Sequence, residues 1–504
     1  MSSPKRNNTI IYITLLIIQL IVLAIYLIPQ LSTDLWNDEI YTLRHFTLVP
    51  LLTTCTDYHV PNNHLFFNLI NNLYLNIIGL KHLSSLMNHV WIIRIIPLLY
   101  TIITVFIMYL IGGKFFNKTT AFLSVIILLT TIPFLNYAAQ VRGYSLSMLL
   151  FTLILYYILS SIVTSKTYKY IIIAIFTALL IYTIPSNIYF VGSLIIFFIF
   201  RFLYYLYQSK GKLVGSYLNL LLIISLTLGI GIALVLYKPI FKEVFYNEYV
   251  VSHAINLHYA KYISLNVITG FISFRWILIV LFLFGMLFLF SSKNKKETKL
   301  FYLLMFIFLY IFPFIISTLR GDEPPDRVFT VLMPVFSIII SYGIVLLIQN
   351  IKRLQNYTLL SIIIVFIISN VSYVYGISKV KERILHDITD SEGRSHENMY
   401  SYYQFYFHPK KEVEQLIIQF NNGVAKVIVT SGEPHDLPEY LERYKIAYYN
   451  DTYIDSIPHL KGNIYIFTSH PKLLKYQINK VCPECKLEMI SKEISYHNLF
   501  LIKH

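Results

Sequence analysis

Residues 10–43 read IIYITLLIIQLIVLAIYLIPQLSTDLWNDEIYTL. The first part, 10–31, is longer than the ~7–15 apolar residues of a signal-peptide core and lacks a small-residue cleavage site, so it reads as a retained membrane span. Lipid offers the backbone no hydrogen-bond partner, and roughly 20 apolar residues wound into a helix meet that demand while crossing the hydrocarbon. Just beyond the run come Asp34, Trp36, Asp38 and Glu39. Three carboxylates gathered where a span meets water need an explanation, and the rest of the chain supplies it.

The chain has 504 residues, of which 56% are hydrophobic and 13% charged. Soluble domains carry about 25% charged residues. Apolar runs recur at 10–31, 90–111, 120–135, 144–164, 168–184, 187–207, 214–237, 268–290, 300–318, 328–348 and 357–376, which predicts a polytopic α-helical membrane protein with about eleven spans. The net charge of +15 alternates with these runs instead of forming one basic patch, so no nucleic-acid surface is expected. Short loops hold Lys5/Arg6, Lys114/Lys118, Lys166/Lys169, Lys210/Lys212, Lys293/Lys295/Lys296/Lys299 and Lys352/Arg353. The positive-inside rule puts them in the cytoplasm. The opposite loops collect Asp34, Asp38, Glu39, Asp57, Glu243, Glu248, Asp322, Glu323 and Asp326. The N-terminus is therefore expected inside, the C-terminus outside, and the chain integral to the plasma (inner) membrane.

Residues 1–376 read as the membrane domain, with a large first outer loop at 32–89. Within that loop NHLFFNLINNLYLNIIGL sets Asn against apolar residues at helical spacing, as an amphipathic helix at the membrane interface would. After Gly376 hydropathy falls to ordinary values. KKEVEQLIIQFNNG has helical spacing, AKVIVTS and GNIYIFTS read as strands, and HNLFLIKH as a last strand, which predicts a small extracytoplasmic α/β domain at 377–504. Cys482 and Cys485 form a lone CPEC, an incomplete zinc set that reads as a local disulfide or two free thiols. Gly229 and Gly231 lie inside an apolar run and read as packing residues, not a dinucleotide loop.

Four outer clusters carry the chemistry. Asp34 and Asp38 are four apart and share a face if that stretch is helical, in which case their repulsion calls for a cation, a metal or a shared proton. DYHVPNNH offers Asp57, His59, Asn63 and His64, groups that bind a divalent ion or orient a sugar hydroxyl. YAAQVRGYSL puts Arg142 and Tyr144 at the outer end of a span, where an arginine must snorkel, pair or bind an anion. RGDEPPDRVF places Arg320 and Arg327 on the same side, with Asp322, Glu323 and Asp326 beside them as neutralising partners. Each cluster also has an ordinary reading as caps, solvated acids or a stiffened loop. A sugar carried on a lipid phosphate needs both sets of groups: a base for the attacking hydroxyl and cations for the departing phosphate.

LWNDEIYTL after the first span, DYHVPNNHLFFNLI in the loop, WIIRIIPLLYTIITVFIMYLIGGKFF, QVRGYSL and DRVFTVLMPVF follow one another in an order that resembles the GT-C superfamily of membrane glycosyltransferases, in the branch of protein O-mannosyltransferases and the aminoarabinose transferase acting on lipid A. The resemblance implies a polyprenyl-phosphate sugar donor used at the outer leaflet, a lipid, glycan or protein acceptor, and inversion at the anomeric carbon. It also implies Asp38 as catalytic base with Glu39 supporting the site, and Arg142 and Arg327 near the donor phosphate. The chain departs from the family pattern at VPNNH, where a paired proline is common, and at RVF, where Arg-Tyr is common. The resemblance leaves a requirement for a divalent metal ion open, since relatives differ in it, and implies no other cofactor.

A carboxylate of ordinary pKa ~3.9 cannot fully ionise an alcohol, so proton transfer must accompany bond formation through an oxocarbenium-like transition state. A transporter or lipid-linked glycan flippase, and an O-antigen ligase or polymerase, are the competing readings. A transporter should carry charges at midspan or paired broken helices, whereas the informative charges here stand at the outer boundary.

Overall fold

The computed structural model describes residues 4–210, 216–246, 257–291, 296–320, 325–390, 408–420, 425–430, 436–459, 462–491 and 498–503. Asp322 and Glu323, like Glu248, Lys212, Lys293 and Lys295, lie outside the described residues.

Each apolar run in the sequence falls on helix. Among the described residues, seven helices are long and apolar enough to cross a bilayer: Ile10–Ser32, Trp91–Phe116, Tyr144–Val163, Pro185–Gln208, Tyr217–Leu236, Asp326–Asn350 and Thr358–His386. Lys118–Leu129, Thr167–Thr183 and Leu304–Leu319 are shorter apolar helices. The protein is an integral membrane protein. Lys118–Leu129 explains its own sequence: every residue from Thr120 to Leu129 is buried, so no polar face is needed.

The run at 268–290 does not form one straight span. It lies on two helices, Lys261–Ile272 and Trp276–Phe288, that meet at 93°. Ser273 and Phe274 take positive φ there, 46° and 64°. Arg275, fully buried, closes the break by donating from Nε to Ile272 O (2.9 Å), from Nη1 to Thr130 Oγ1 (2.7 Å) and from Nη2 to Thr131 Oγ1 (2.8 Å) and Phe271 O (3.0 Å). A guanidinium thus satisfies carbonyls left open at a helix end, where lipid would supply no donor. Downstream, Trp276–Ser291 packs on Met333–Asn350 so closely that a Cβ on Gly285 would stand 1.8 Å from Gly343 O. Small residues permit such approaches in bundles.

The first loop folds as short helices at one end of the bundle, with Leu65–Ile77 the longest. Its polarity is inverted relative to a helix of a soluble protein. Asn68, Asn71 and Asn72 are fully buried, whereas Leu73 and Ile77 are exposed. Asn72 Nδ2 donates to Thr47 O (2.9 Å), Val49 O (2.7 Å) and Thr54 Oγ1 (3.1 Å), so the asparagines lash the preceding turns to the helix. An outward apolar face beside a polar interior is what a lipid-facing element requires.

The last span continues past Gly376 as one helix, Thr358–Asp390. Beyond it lies a five-stranded sheet of β1 (Ala425–Val429), β2 (Tyr449–Asn450), β3 (Asn463–Thr468), β4 (Lys486–Met489) and β5 (Asn498–Lys503), in the order β2-β1-β3-β5-β4. β1 is parallel to β2 and β3, while β5 is antiparallel to β3 and β4. Helices Pro409–Phe420, Asp436–Arg443 and Pro471–Val481 accompany it. Helix Pro471–Val481 and β4 are elements the sequence pattern did not predict, and between them Cys482 and Cys485 are joined as a disulfide.

Candidate active site at the first loop

Trp36 is extended (φ −96°, ψ 171°), and its backbone N–H donates to Glu39 Oε2 at 3.3 Å, which starts a helix at Asn37. That helix, Asn37–Thr42, puts Asp38 and Glu39 in its first turn, where the dipole favours negative charge. Asp34 lies before it. Asp34 and Asp38 therefore do not share a helical face, and each has its own partner: Lys410 N for Asp34 at 3.0 Å and Arg142 for Asp38.

The adjacent acids diverge completely. Glu39 has no exposed surface, and its oxygens receive four donors: Arg94 Nη2 at 2.6 Å, Val141 N at 2.9 Å, and Arg94 Nε and Trp36 N at 3.3 Å each. Arg94 Nη2 also donates to Asp34 O at 3.1 Å, and Nη1 to Thr33 O at 2.6 Å. One buried ion pair thus binds the end of the first span, the Asp38 helix and the Val141 segment together. Sequence reading missed Arg94, the second cation of the region. Its position as the fifth residue of the apolar run 90–111 was the available signal.

Asp38 keeps 20% of its side chain exposed, and its Oδ2 stands 3.4 Å from Arg142 Nη2. Arg142 itself is buried. Its Nη1 donates to Thr42 Oγ1 (3.1 Å) and to Asn62 Oδ1, its Nε is buried with no hydrogen-bond partner among the described residues, and its guanidinium stands 5.9 Å from the Tyr144 ring centroid. The pairing with Asp38 is long for a charge-assisted hydrogen bond, so donor capacity remains for another anion. Tyr144 is held in turn by Tyr137, centroid to centroid 4.8 Å.

His64 joins the same knot from the loop. Its Nδ1 accepts the Gly143 N–H at 2.7 Å, and its ring meets the Tyr144 ring edge-on at 5.2 Å. Burial holds this imidazole well below its ordinary pKa, and the neighbouring charges of Arg142 and Arg327 push the same way. Arg327 opens the Asp326–Leu332 turn, so the later arginine reaches the neighbourhood of the early loop. Tyr58 is buried there too, its phenol raised by burial.

Asn63 is placed differently from its expected role. Its Nδ2 donates to Asp57 O (2.6 Å) and Thr54 O (3.3 Å), and its Oδ1 accepts from Asn68 (2.8 Å), so its amide is occupied inside the loop. Neighbouring Asn62, which sequence reading passed over, is the one that meets Arg142. Asp57 and His59 stand on the outside of the loop as a relay: Asp57 Oδ1 to His59 Nδ1 at 2.5 Å, then His59 Nε2 to Tyr41 OH at 2.7 Å. His45 lies beside it, ring centroids 5.9 Å apart. Among the described residues, no three His, Cys, Asp or Glu side chains stand close enough together to hold a metal ion.

Residues 78–229, which include Arg94, Arg142 and Tyr144, match the family described as dolichyl-phosphate-mannose-protein mannosyltransferase. The whole fold matches crystal structures of ArnT from Cupriavidus metallidurans. The undecaprenyl-phosphate-bound form aligns with TM-score 0.51 at 10% identity over 97% of both chains. The apo form gives the same score and identity over 99% of this chain and 98% of that one. By fold, the chain is similar to ArnT. No curated protein sequence matches the chain. Through these contacts the Asn37–Thr42 helix, the first loop and the Arg142 segment form one assembly.

Proposed function

We propose that the protein is a membrane glycosyltransferase that moves a sugar from a polyprenyl-phosphate donor to a hydroxyl or phosphate acceptor on the extracytoplasmic side, with inversion. The observation that carries this reading is the Asp38–Arg142 pair: a partly open carboxylate 3.4 Å from a buried guanidinium whose Nε has no hydrogen-bond partner among the described residues. A base and an anion receptor side by side suit transfer from a phosphate-linked sugar, and the family and fold matches support the same chemistry.

In this mechanism Asp38 takes the proton of the attacking hydroxyl as its oxygen bonds to the anomeric carbon. The bond from that carbon to the phosphate oxygen breaks, and the electron pair leaves with the phosphate, which Arg142 receives with Arg327 nearby. General-base assistance contributes roughly 10²–10⁴-fold. Preorganised charge at the leaving group and positioning supply the remainder. Glu39 acts through Arg94, holding the helix on which Asp38 stands. The alternating loop charge and the Cys482–Cys485 disulfide, a bond that persists in oxidising compartments, support the outer orientation of the C-terminal unit.

The test is transfer of labelled sugar from a panel of polyprenyl-phosphate sugars by the purified chain in vesicles. Gentle extraction and mass spectrometry of co-purifying lipid would choose the panel. Release of polyprenyl phosphate with a labelled product supports the reading. Movement of an unaltered lipid-linked sugar between leaflets, without transfer, would make the protein a flippase.

A further inference from the structure

The sheet-containing C-terminal unit contacts the residues on both flanks of the Asp38 helix. Asp34 Oδ2 accepts the Lys410 N–H in the first turn of Pro409–Phe420 at 3.0 Å. Tyr440 OH donates to Leu35 O at 3.2 Å. Arg44 pairs with Glu439 and lies 3.9 Å from Glu442, and Arg443 donates to Asn88 Oδ1. Leu35, Leu437 and Tyr440 are fully buried. These contacts fall on both flanks of Asn37–Thr42: Asp34 and Leu35 precede it, and Arg44 follows it.

A helix of six residues has no independent stability, because one costly nucleating turn is followed by almost no propagation. Its position must come from its neighbours. These are Arg94 and Arg142 of the membrane domain and helices Pro409–Phe420 and Asp436–Arg443 of the C-terminal unit. We propose that the C-terminal unit is a positioning element for the catalytic helix, clamping Asp34, Leu35 and Arg44 so that Asp38 stays in register with Arg142. The inference rests on the transferase reading above for its meaning, but its geometry can be tested without it. Arg44, Tyr440 and Glu439 become positioning residues that touch neither donor nor acceptor.

The experiment uses the full chain in vesicles. Arg44→Glu should speed hydrogen exchange of the 37–42 amides and lower kcat roughly 10–100-fold, the loss expected of a reacting group misplaced by about 1 Å. KM for polyprenyl-phosphate mannose or glucose, whichever the wild type uses, should stay within about twofold, since the donor contacts are untouched. Arg44→Glu combined with Glu439→Arg should restore both readouts. Tyr440→Phe, which deletes the hydrogen bond to Leu35 O and keeps the ring, serves if the charge reversal does not fold, and should shift both readouts in the same direction. Unchanged exchange and unchanged kcat in a folded variant, or a charge swap that rescues neither, overturns the proposal. If the wild type transfers no sugar at all, the transferase reading fails while the exchange measurement still decides whether the unit holds the helix.

Discussion

Arg142 stands 3.4 Å from Asp38, while Glu39, the next residue, is wholly buried against Arg94. Two adjacent acids thus divide the work, and a neutral isostere separates their roles. Asp38→Asn should abolish transfer of labelled sugar while the chain still folds, with a smaller loss of thermal stability than Glu39→Gln because Asp38 is partly exposed and stands 3.4 Å from Arg142. Wild-type turnover by a folded Asp38→Asn enzyme would remove Asp38 from the mechanism.

Glu39→Gln should behave in the opposite way. It leaves the Arg94 charge buried without its counter-ion, and breaking a buried pair in this manner costs about 3–5 kcal/mol. The expected result is a large fall in melting temperature and in the yield of monodisperse protein. If Glu39→Gln melts with the wild type yet cannot transfer sugar, Glu39 takes part in the chemistry directly.

What the sequence made legible follows from range. Spans were readable because lipid acts on each segment alone: roughly 20 apolar residues, wherever they stand, must form a helix. The elements of the C-terminal unit at 409–420, 425–429, 463–468 and 498–503 showed through their local periodicity in the same way. The bend at 273–275 did not, since it depends on Arg275 finding Thr130 and Thr131 far upstream. Nor did the split between Asp34 and Asp38, which turns on Trp36 being extended and on Lys410 arriving from the other end of the chain. Spacing also pointed to Asn63 rather than Asn62, because hydropathy and motif position cannot say which of two adjacent amides turns toward Arg142.

Gly143 offers a test of the knot around Arg142. A Cβ there would stand 2.9 Å from Thr183 Cγ2 and 3.0 Å from His64 Cβ, so Gly143→Ala must push the His64 ring away from the Tyr144 edge. Because Gly143 is joined directly to Arg142, a shift of about 1 Å should cost on the order of 10²-fold in kcat/KM. A kcat/KM within about threefold of wild type would show that His64 and Arg142 move independently.

Two buried titrations set the pH response, with opposite signs. His64 is depressed in the folded protein, so below its ordinary pKa of 6.5 the unfolded chain binds more protons and stability falls as pH drops. Asp34 is raised from 3.8 to about 6, chiefly by burial, with Lys410 and Arg94 opposing and Glu414 adding to the rise. The folded state therefore holds that proton more tightly, and the Asp34 contribution is present below pH 3.8 and lost as pH rises through about 6. Asp34→Asn keeps an acceptor for the Lys410 N–H but cannot titrate. Its melting temperature relative to wild type should rise between pH 4 and pH 7, and a flat difference across that range would show that Asp34 does not titrate at this interface.

The Cys482–Cys485 disulfide tests sidedness and stability together. It closes a loop of about four residues, for which the chain-entropy relation gives about 2 kcal/mol. Cys482→Ser with Cys485→Ser should therefore lower the stability of the C-terminal unit modestly without abolishing folding. Both sulfurs are nearly buried, so reaction requires reduction first. In intact cells carrying Cys55→Ser, which removes the remaining thiol, a membrane-impermeant maleimide should label the pair only after an impermeant reductant is added. Labelling that appears only once the membrane is opened would place the unit in the cytoplasm and reverse the proposed orientation of the Asp38 site.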